Sequence, residues 1–453
     1  MFDMDGEALS LRSYLLELRK RGRLVTVKTP VSTKFEVAAL EKALDHSKAI
    51  QVTAPKDGAF PIVANLLISR ADFAEALHKD VKQFEAFFQS SVNRASGPLV
   101  VEKGSFQEVS KGASLEDLPI VHHFGKDAGA YVTSSLVIAR NRETGTQNVS
   151  FHRLLKVDDR RLAVRMVEGR HLHRAFTLAK ENGEDLPVAI VIGVHPAVEM
   201  AAAFQAPYGY DELTLANALL DGGLETVEVE GGLTVPAHSE IVLTGTIRRN
   251  ETVREHMVEM LGNYDASREQ PVVEVNNVYH RKGAIYRDIL PGGREHRMLM
   301  SYPVEIKLNK AVRDVVPTTR RVILTDGGCN WLHAVIQMQK KFEGEPKNAI
   351  VAAFAAHPSL KMATVVDEDI DPTDPISVEY AVATRFQASR GLVIVQGAKG
   401  SSLDPSADQE GLITDKMGID ATRTLKKPKE KFEIAEIPNY QETVDRFLGG
   451  REK

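Results

Sequence analysis

The residues best suited to chemistry fall in three clusters. The first is "NVSFHRLLKVDDRRLAVRMVEGRH", Asn148 to His171, which supplies a carboxamide, an imidazole and an arginine in one alternating segment and another imidazole after a turn. On a strand, Asn148, Ser150 and His152 face one way while Phe151 and Arg153 face the other. If Asn148 and Arg153 serve one site, the backbone between them must bend or run along the edge of a ligand. Asn148 offers a hard oxygen, His171 a nitrogen, and Glu230 of "EVEGG" a carboxylate. Such a set suits Mn2+ or Mg2+ better than structural Zn2+, which prefers Cys and His. These three residues share no local motif, and their types alone favour a plainer reading: a satisfied amide, a surface histidine and a solvated carboxylate.

The second cluster, "REHMVEM", holds Arg254, Glu255, His256 and Glu259. On a helical turn Glu255 and Glu259 would share a face and repel unless a cation lay between them or one stayed protonated. A carboxyl of raised pKa is what a general acid needs near neutral pH, and an exposed helix with paired charges is the plainer alternative. The third, "LPGGREHRML", sets Arg294, His296 and Arg297 after a Pro-Gly-Gly turn, an anion-friendly rim. In "DKMGIDAT", Lys416 beside Gly418 could meet a phosphate. Neither a dinucleotide fingerprint nor a P-loop occurs, and there is no nucleophile elbow or His-Glu-x-x-His.

The elements that must position these groups read as follows. Residues 1–115 alternate helix and strand, with "LVTVKTPV", "AIQVTAP" and "FPIVANLL" as strands and one long helical stretch, "ADFAEALHKDVKQFEAFFQS". "GASLEDLPIVHHFGKDAGAY" is a connector punctuated by Gly and Pro. Residues 116–303 are dominated by short strands, as in a barrel or sandwich, with helical insertions at "HLHRAFTLAKENG" and "DELTLANALLDGG". Residues 304–453 return to α/β: "RRVILTDGG", "NAIVAAFAAHP", "MATVVDEDID" and "GLVIVQGA" read as buried strands, and "NWLHAVIQMQKKF" and "ISVEYAVATRFQ" as helices. The tail after Thr422 reads as an arm packing on the body or on another subunit.

Bulk composition narrows the class. The 453 residues, 43% hydrophobic and 26% charged, describe a globular protein of several domains, and a net charge of -5 gives no reason to expect nucleic acid or an anionic membrane. The single cysteine, Cys329, excludes an internal disulfide, fits a reducing cytoplasm and reads as a buried small apolar residue. No apolar run is long enough to span a bilayer, and the charged N-terminus is unlike a secretory signal.

Taken in order, "NVSFHR", "RHLH", "LTVPAHSEIVLTG", "AIYRDILPGGREH", "VVDEDIDPTD" with "AVATRF", and "DKMGIDAT" resemble the UbiD family of decarboxylases over nearly the whole chain. The resemblance implies an N-terminal α/β domain, a central split β-barrel that binds prenylated FMN, and a C-terminal α/β domain with an arm. It implies Mn2+ or another divalent metal on Asn148, His171 and Glu230, with Glu228 the substitute if the alignment slips, and it allows K+ or Na+ beside the metal. Phe151, His152, Arg153, Arg170 and Lys416 become cofactor contacts. Glu259 becomes the proton donor, oriented by Arg153, with Glu255 as the second carboxylate although the pair is four apart rather than the family's usual five. His296 becomes a substrate contact, helped by Arg294 or Arg297.

The implied reaction is reversible loss of CO2 from a heteroaromatic acid. Furan-2,5-dicarboxylate giving 2-furoate, as in the HmfF-type branch, is the first choice; pyrrole-2-carboxylate or a hydroxybenzoate are alternatives. The resemblance also implies a UbiX-type flavin prenyltransferase as cofactor supplier and a homo-oligomer, dimer or hexamer. A non-catalytic flavin- or metal-binding protein and a metal-dependent hydrolase are the readings from other classes.

Overall fold

The computed structural model describes residues 9–448. The reading of the extreme N-terminus as no signal and the last five residues of the arm lie outside the described residues. The chain forms two compact units, Met1–Lys307 with Cys329–Trp331, and Leu308–Gly328 with Leu332–Lys453.

In the first unit, Leu11, Tyr14, Leu15 and Leu18 recur at helical spacing and are buried, and Ser10 caps the helix Leu11–Lys20. The expected long helix after it is two, Arg70–Ala76 and Val81–Asn93, separated where His78 takes a positive φ of 52°. The N-terminal strands Leu24–Val27, Ala49–Val52 and Ile62–Ala64 form a sheet whose fourth strand is Tyr286–Arg287. A strand from the expected central domain thus completes the N-terminal sheet, and the two expected domains pack as one compact unit.

The central sheet is the frame of the site. Its main path runs Tyr131–Val132, Leu154–Lys156, Arg161–Val164, Arg268–His280, Ile241–Glu255, Leu186–Ile192, Leu136–Arg140 and Gln147–Phe151, every pair antiparallel. Gln147–Phe151 lies at one end of this path and Leu154–Lys156 next to the other, yet only His152 and Arg153 separate them in sequence. The chain crosses the split of a curled sheet in two residues, as the split barrel requires. Strong curvature is eased at Gly245, where the register shifts and a Cβ would lie 2.5 Å from the Glu274 carbonyl oxygen.

The second unit holds a mixed five-stranded sheet in the order Thr319–Leu324, His333–Met338, Met362–Asp367, Ile413–Asp420, Leu392–Lys399. Two expectations exchange places here. "HAVIQM", read within a helix, is the second strand, and "NAIVAAFAA", read as a strand, lies in the helix Glu345–Ala356. Alanine-rich runs favour helix, and Pro346 in the first turn starts one; a short β-branched run buried on both faces is equally satisfied as a strand. The expected boundary at 303/304 falls inside the helix Arg294–Val315, which contains Pro303. Cys329, expected buried, is partly exposed at a positive φ of 55°. In the arm, Thr424 and Leu425 both donate to Glu343, while the helix Tyr440–Leu448 buries none of its residues. No helix among the described residues is long and apolar enough to cross a membrane.

Candidate active site

Arg153 stands in the two-residue crossing between strands, free of the pleat that would have turned it away from Asn148. Its guanidinium grips Glu255 with two bonds, Nε to Oε2 at 3.1 Å and Nη2 to Oε1 at 2.8 Å. Nη1 donates to Glu259, and Nη2 also reaches Asp265 at 3.3 Å. Glu255 closes the long strand Ile241–Glu255, and Glu259 sits in the loop beyond it, so the expected helical turn is absent. The two carboxylates meet through the arginine instead of along a helix. Glu255 is 1% exposed and also accepts from the Tyr131 hydroxyl; Glu259 is 24% exposed and able to meet a substrate. Although burial disfavours its charge, the Glu259, Glu255 and Asp265 carboxylates push the Arg153 pKa upward.

The loop that carries Glu259 is held from the other side by the Pro-Gly-Gly turn. Gly292 has a φ of +66°, and a Cβ there would lie 2.9 Å from Gly262 Cα and 3.1 Å from the Glu259 carbonyl oxygen. Arg297 donates to the Met260 carbonyl at 3.1 Å. The Gly292 N–H donates to His296 Nδ1 at 3.1 Å. Burial, then the nearby Arg153 and Arg297 charges, push His296 down to about 4. The ring is therefore neutral near pH 7 with its proton on Nε2, an assignment made from this bond. Arg294, expected to share the substrate rim, instead donates to Ile68 O and contacts His46.

The Asn148 cluster is of a different kind. Asn148 Nδ2 lies 2.9 Å from Glu212 Oε1 and 3.4 Å from His171 Nδ1, and Val149 N donates to Glu212 Oε2 at 2.7 Å. Asp211 caps the helix Glu212–Leu219 and so aims Glu212 from the first turn. Burial pushes the Glu212 carboxyl up to about 8, and burial with the Arg170 and Arg174 charges lowers His171, which leaves a neutral imidazole. His152, pushed down to about 4 mainly by burial, donates from Nδ1 to Arg165 O at 2.8 Å. Its Nε2 must then take the Ser150 hydroxyl proton at 3.0 Å, so Ser150 has none to give the Asn148 oxygen 3.1 Å away. A half-turn of the Asn148 amide would put its oxygen beside His171 and Glu212, three acceptors converging with no cation of their own. That donor set fits a divalent metal.

The carboxylate here is Glu212, not the expected Glu230. Glu230 is exposed beyond the strand Glu225–Val229 and accepts from the Tyr279 hydroxyl at 3.0 Å; Glu228 is also exposed. Sequence reasoning passed over Glu212 because an Asp-Glu pair opening an apolar helix reads as capping, and 64 residues separate it from Asn148. Asp265 and Tyr131 were missed because they stand 112 and 124 residues from the partners they meet, with no local motif to link them. Phe151 ends its strand packed against the core, and exposed Arg170 precedes the helix His171–Glu181, whose start carries no side-chain cap. Lys416, expected at a cofactor phosphate, lies in the second unit, where its ammonium donates to Pro358 O and Leu360 O and is 3% exposed.

Three family models match in order: the 3-octaprenyl-4-hydroxybenzoate carboxy-lyase (UbiD) N-terminal domain at residues 15–90, its Rift-related domain at 99–294 and its C-terminal domain at 297–421. The anhydromevalonate phosphate decarboxylase of Methanocaldococcus jannaschii is 42% identical over 410 residues, 90% of this chain and 96% of the relative. The UbiD-class enzyme HmfF from Pelotomaculum thermopropionicum, solved with FMN, superposes with a TM-score of 0.93 at 40% identity over 96% of this chain and 98% of that one. An evolved dimeric form of HmfF, solved with prenylated FMN, gives 0.88 at 37% identity over the same shares.

Proposed function

The chain belongs to the UbiD family of carboxy-lyases, and we propose that it removes CO2 from a small unsaturated acid with prenylated FMN and a divalent ion as cofactors. The observation that carries this reading is the Arg153 constellation: one guanidinium holding a sealed Glu255 and an accessible Glu259. Asn148, His171 and Glu212 would hold the ion, Mn2+ in the first instance. The uncapped start of the helix His171–Glu181 favours an anionic group such as the cofactor phosphate. Arg170 directly precedes that helix, and Phe151 and His152 follow Asn148 in the chain. When bound, prenylated FMN supplies the electron sink for the pair left by the departing carboxylate.

The chain's own residues do the rest. Glu255 and Asp265 fix the Arg153 plane, and Arg153 presents Glu259. Glu259, as the acid, delivers its proton to the carbon that has lost CO2. His296 Nε2–H and Arg297 offer a donor and a charge to a second anionic group on the substrate.

That second group separates two readings. Furan-2,5-dicarboxylate, giving 2-furoate, is supported by the likeness to HmfF. A phosphorylated acid is supported by the relatives that act as anhydromevalonate phosphate decarboxylases. Holoenzyme prepared with a UbiX-type flavin prenyltransferase should release CO2 from one of these two and not from hydroxybenzoates. Turnover of hydroxybenzoates alone would overturn the dianionic-substrate reading.

A further inference from the structure

A second polar cluster lies deep in the first unit, outside the site already described. Glu41 projects from the helix Glu36–Leu44, His123 from the connector, and Asp288 from just after the strand Tyr286–Arg287. One potential ligand atom from each lies within 4.8 Å of the other two, and all three residues are buried. His123 Nε2 is 2.8 Å from Asp288 Oδ2, and Thr133 donates to Asp288 Oδ1 at 2.8 Å. The Glu41 and Asp288 carboxyls lie within hydrogen-bond reach of each other, so without a cation one proton must sit between them, and His123 Nδ1 has no hydrogen-bond partner.

Two further observations around the three residues fit a cation there. The first is charge. Beside Glu41 and Asp288 stand two more buried carboxylates, Glu199 and Glu295, and both are already paired to Arg287. Four buried carboxyls thus surround one guanidinium and one imidazole, and burial with Asp288 beside it pushes the Glu41 carboxyl well up, so that position holds either a proton or a cation. The second is Tyr286, fully buried, whose hydroxyl has no partner and feels the charges of both Glu41 and Asp288.

We propose that Glu41, His123 and Asp288 form a buried structural site for a first-row divalent cation, separate from the cofactor's ion. Two carboxylates and one imidazole match Mn2+, Fe2+ or Zn2+ in donor type, and two negative charges balance a divalent ion with neutral His123. The ion would tie the N-terminal helix, the connector and the strand Tyr286–Arg287 together. Asp288 N donates to Val63 O and Ile289 N to Thr133 Oγ1, and the segment then runs directly into the Pro-Gly-Gly turn below His296. The site is a staple for the loop that positions His296, without contact to the reacting atoms.

The test uses wild-type holoenzyme produced with Mn2+ or Zn2+ supplied. Diffraction data collected across the Mn and Zn absorption edges should show an anomalous peak about 2.0–2.3 Å from Glu41, His123 and Asp288. A featureless or water-like peak there, without anomalous signal, overturns the proposal and leaves a shared proton between Glu41 and Asp288. Metal analysis gives a second readout. Glu41→Gln should lose one equivalent of divalent metal per chain relative to wild type, while flavin content is retained. Unchanged metal content in that variant also overturns it.

Discussion

Arg153 gathers three carboxylates and the Asn148 cluster holds one, Glu212, but only the first brings its own counter-charge. Around Arg153, three carboxylates share a guanidinium that is in place before any ligand arrives. Around Asn148, burial raises Glu212 to about 8 because the nearest partners, an amide and a neutral imidazole, carry no positive charge. The first cluster carries its own counter-charge, which suits the proton-donor role we propose for Glu259; the second lacks one, which is the ground for the cation we propose there. The same residue type therefore does opposite work, decided by whether an arginine reaches it.

The sharpest way to break this contrast is at Glu259. Glu259→Gln keeps the bond to Arg153 but removes the transferable proton, so decarboxylation should fall by roughly 100- to 10,000-fold, as expected for loss of a general acid. Flavin and metal content should stay at wild-type levels, checked by absorbance and metal analysis. Near-normal turnover would remove Glu259 from the chemistry. The corresponding change at the other cluster, Glu212→Gln, should instead empty it: metal content drops, flavin retention drops with it, and turnover follows. Glu230→Gln should leave both unchanged. If Glu230→Gln releases the metal and Glu212→Gln does not, the assignment of the cluster is wrong.

These two variants also mark where sequence reading stopped. Strand patterning made the central sheet legible, and the ordered motifs led to Asn148, His171, Arg153 and Glu259, because each lies in a run whose neighbours repeat the same signal. Glu212 and Asp265 lacked such neighbours. One opens a helix whose apolar residues dominate its reading, and the other lies in the loop before the strand Arg268–His280; each reaches its cluster through the closure of the sheet. Glu255 and Glu259 were expected on a helix from their spacing alone, yet a strand end and a loop bring them to the same arginine. The exchange of strand and helix at His333–Met338 and Glu345–Ala356 has a simpler cause: buried apolar runs carry no periodicity to tell the two apart.

A smaller effect should come from the backbone that holds Glu259. Gly292→Ala forces a methyl group against Gly262 and the Glu259 carbonyl in a left-handed conformation that alanine resists. The cost to stability should be about 1–3 kcal/mol, read by denaturant unfolding. Because the disturbed loop belongs to the Arg153 cluster, kcat should fall while metal content holds. A loss of metal instead would mean that the two clusters are coupled through this turn.

The smallest effect isolates the missing charge itself. In metal-free protein, Glu212 keeps its proton in the folded chain up to about pH 8 but loses it in the unfolded chain near the ordinary glutamate value. Between those values the native state binds more protons than the unfolded state, so this group's contribution to stability is full at low pH and is lost as pH rises toward 8. Asp211 acts in the same direction, but its raised value of about 6 confines it to lower pH. The half-buried His152 and His296 have values near 4, so their contribution is lost as pH falls below the ordinary histidine value of about 6.5. The window from about pH 6.5 to 8 therefore belongs to Glu212 among these groups. Across it, metal-free wild type should lose up to about 2 kcal/mol relative to Glu212→Gln in parallel denaturant titrations. Saturating Mn2+ should abolish that slope in wild type, because the ion takes the place of the proton. A slope that survives Mn2+ would show that the cation does not sit on this carboxylate, and the contrast between the two clusters would fail.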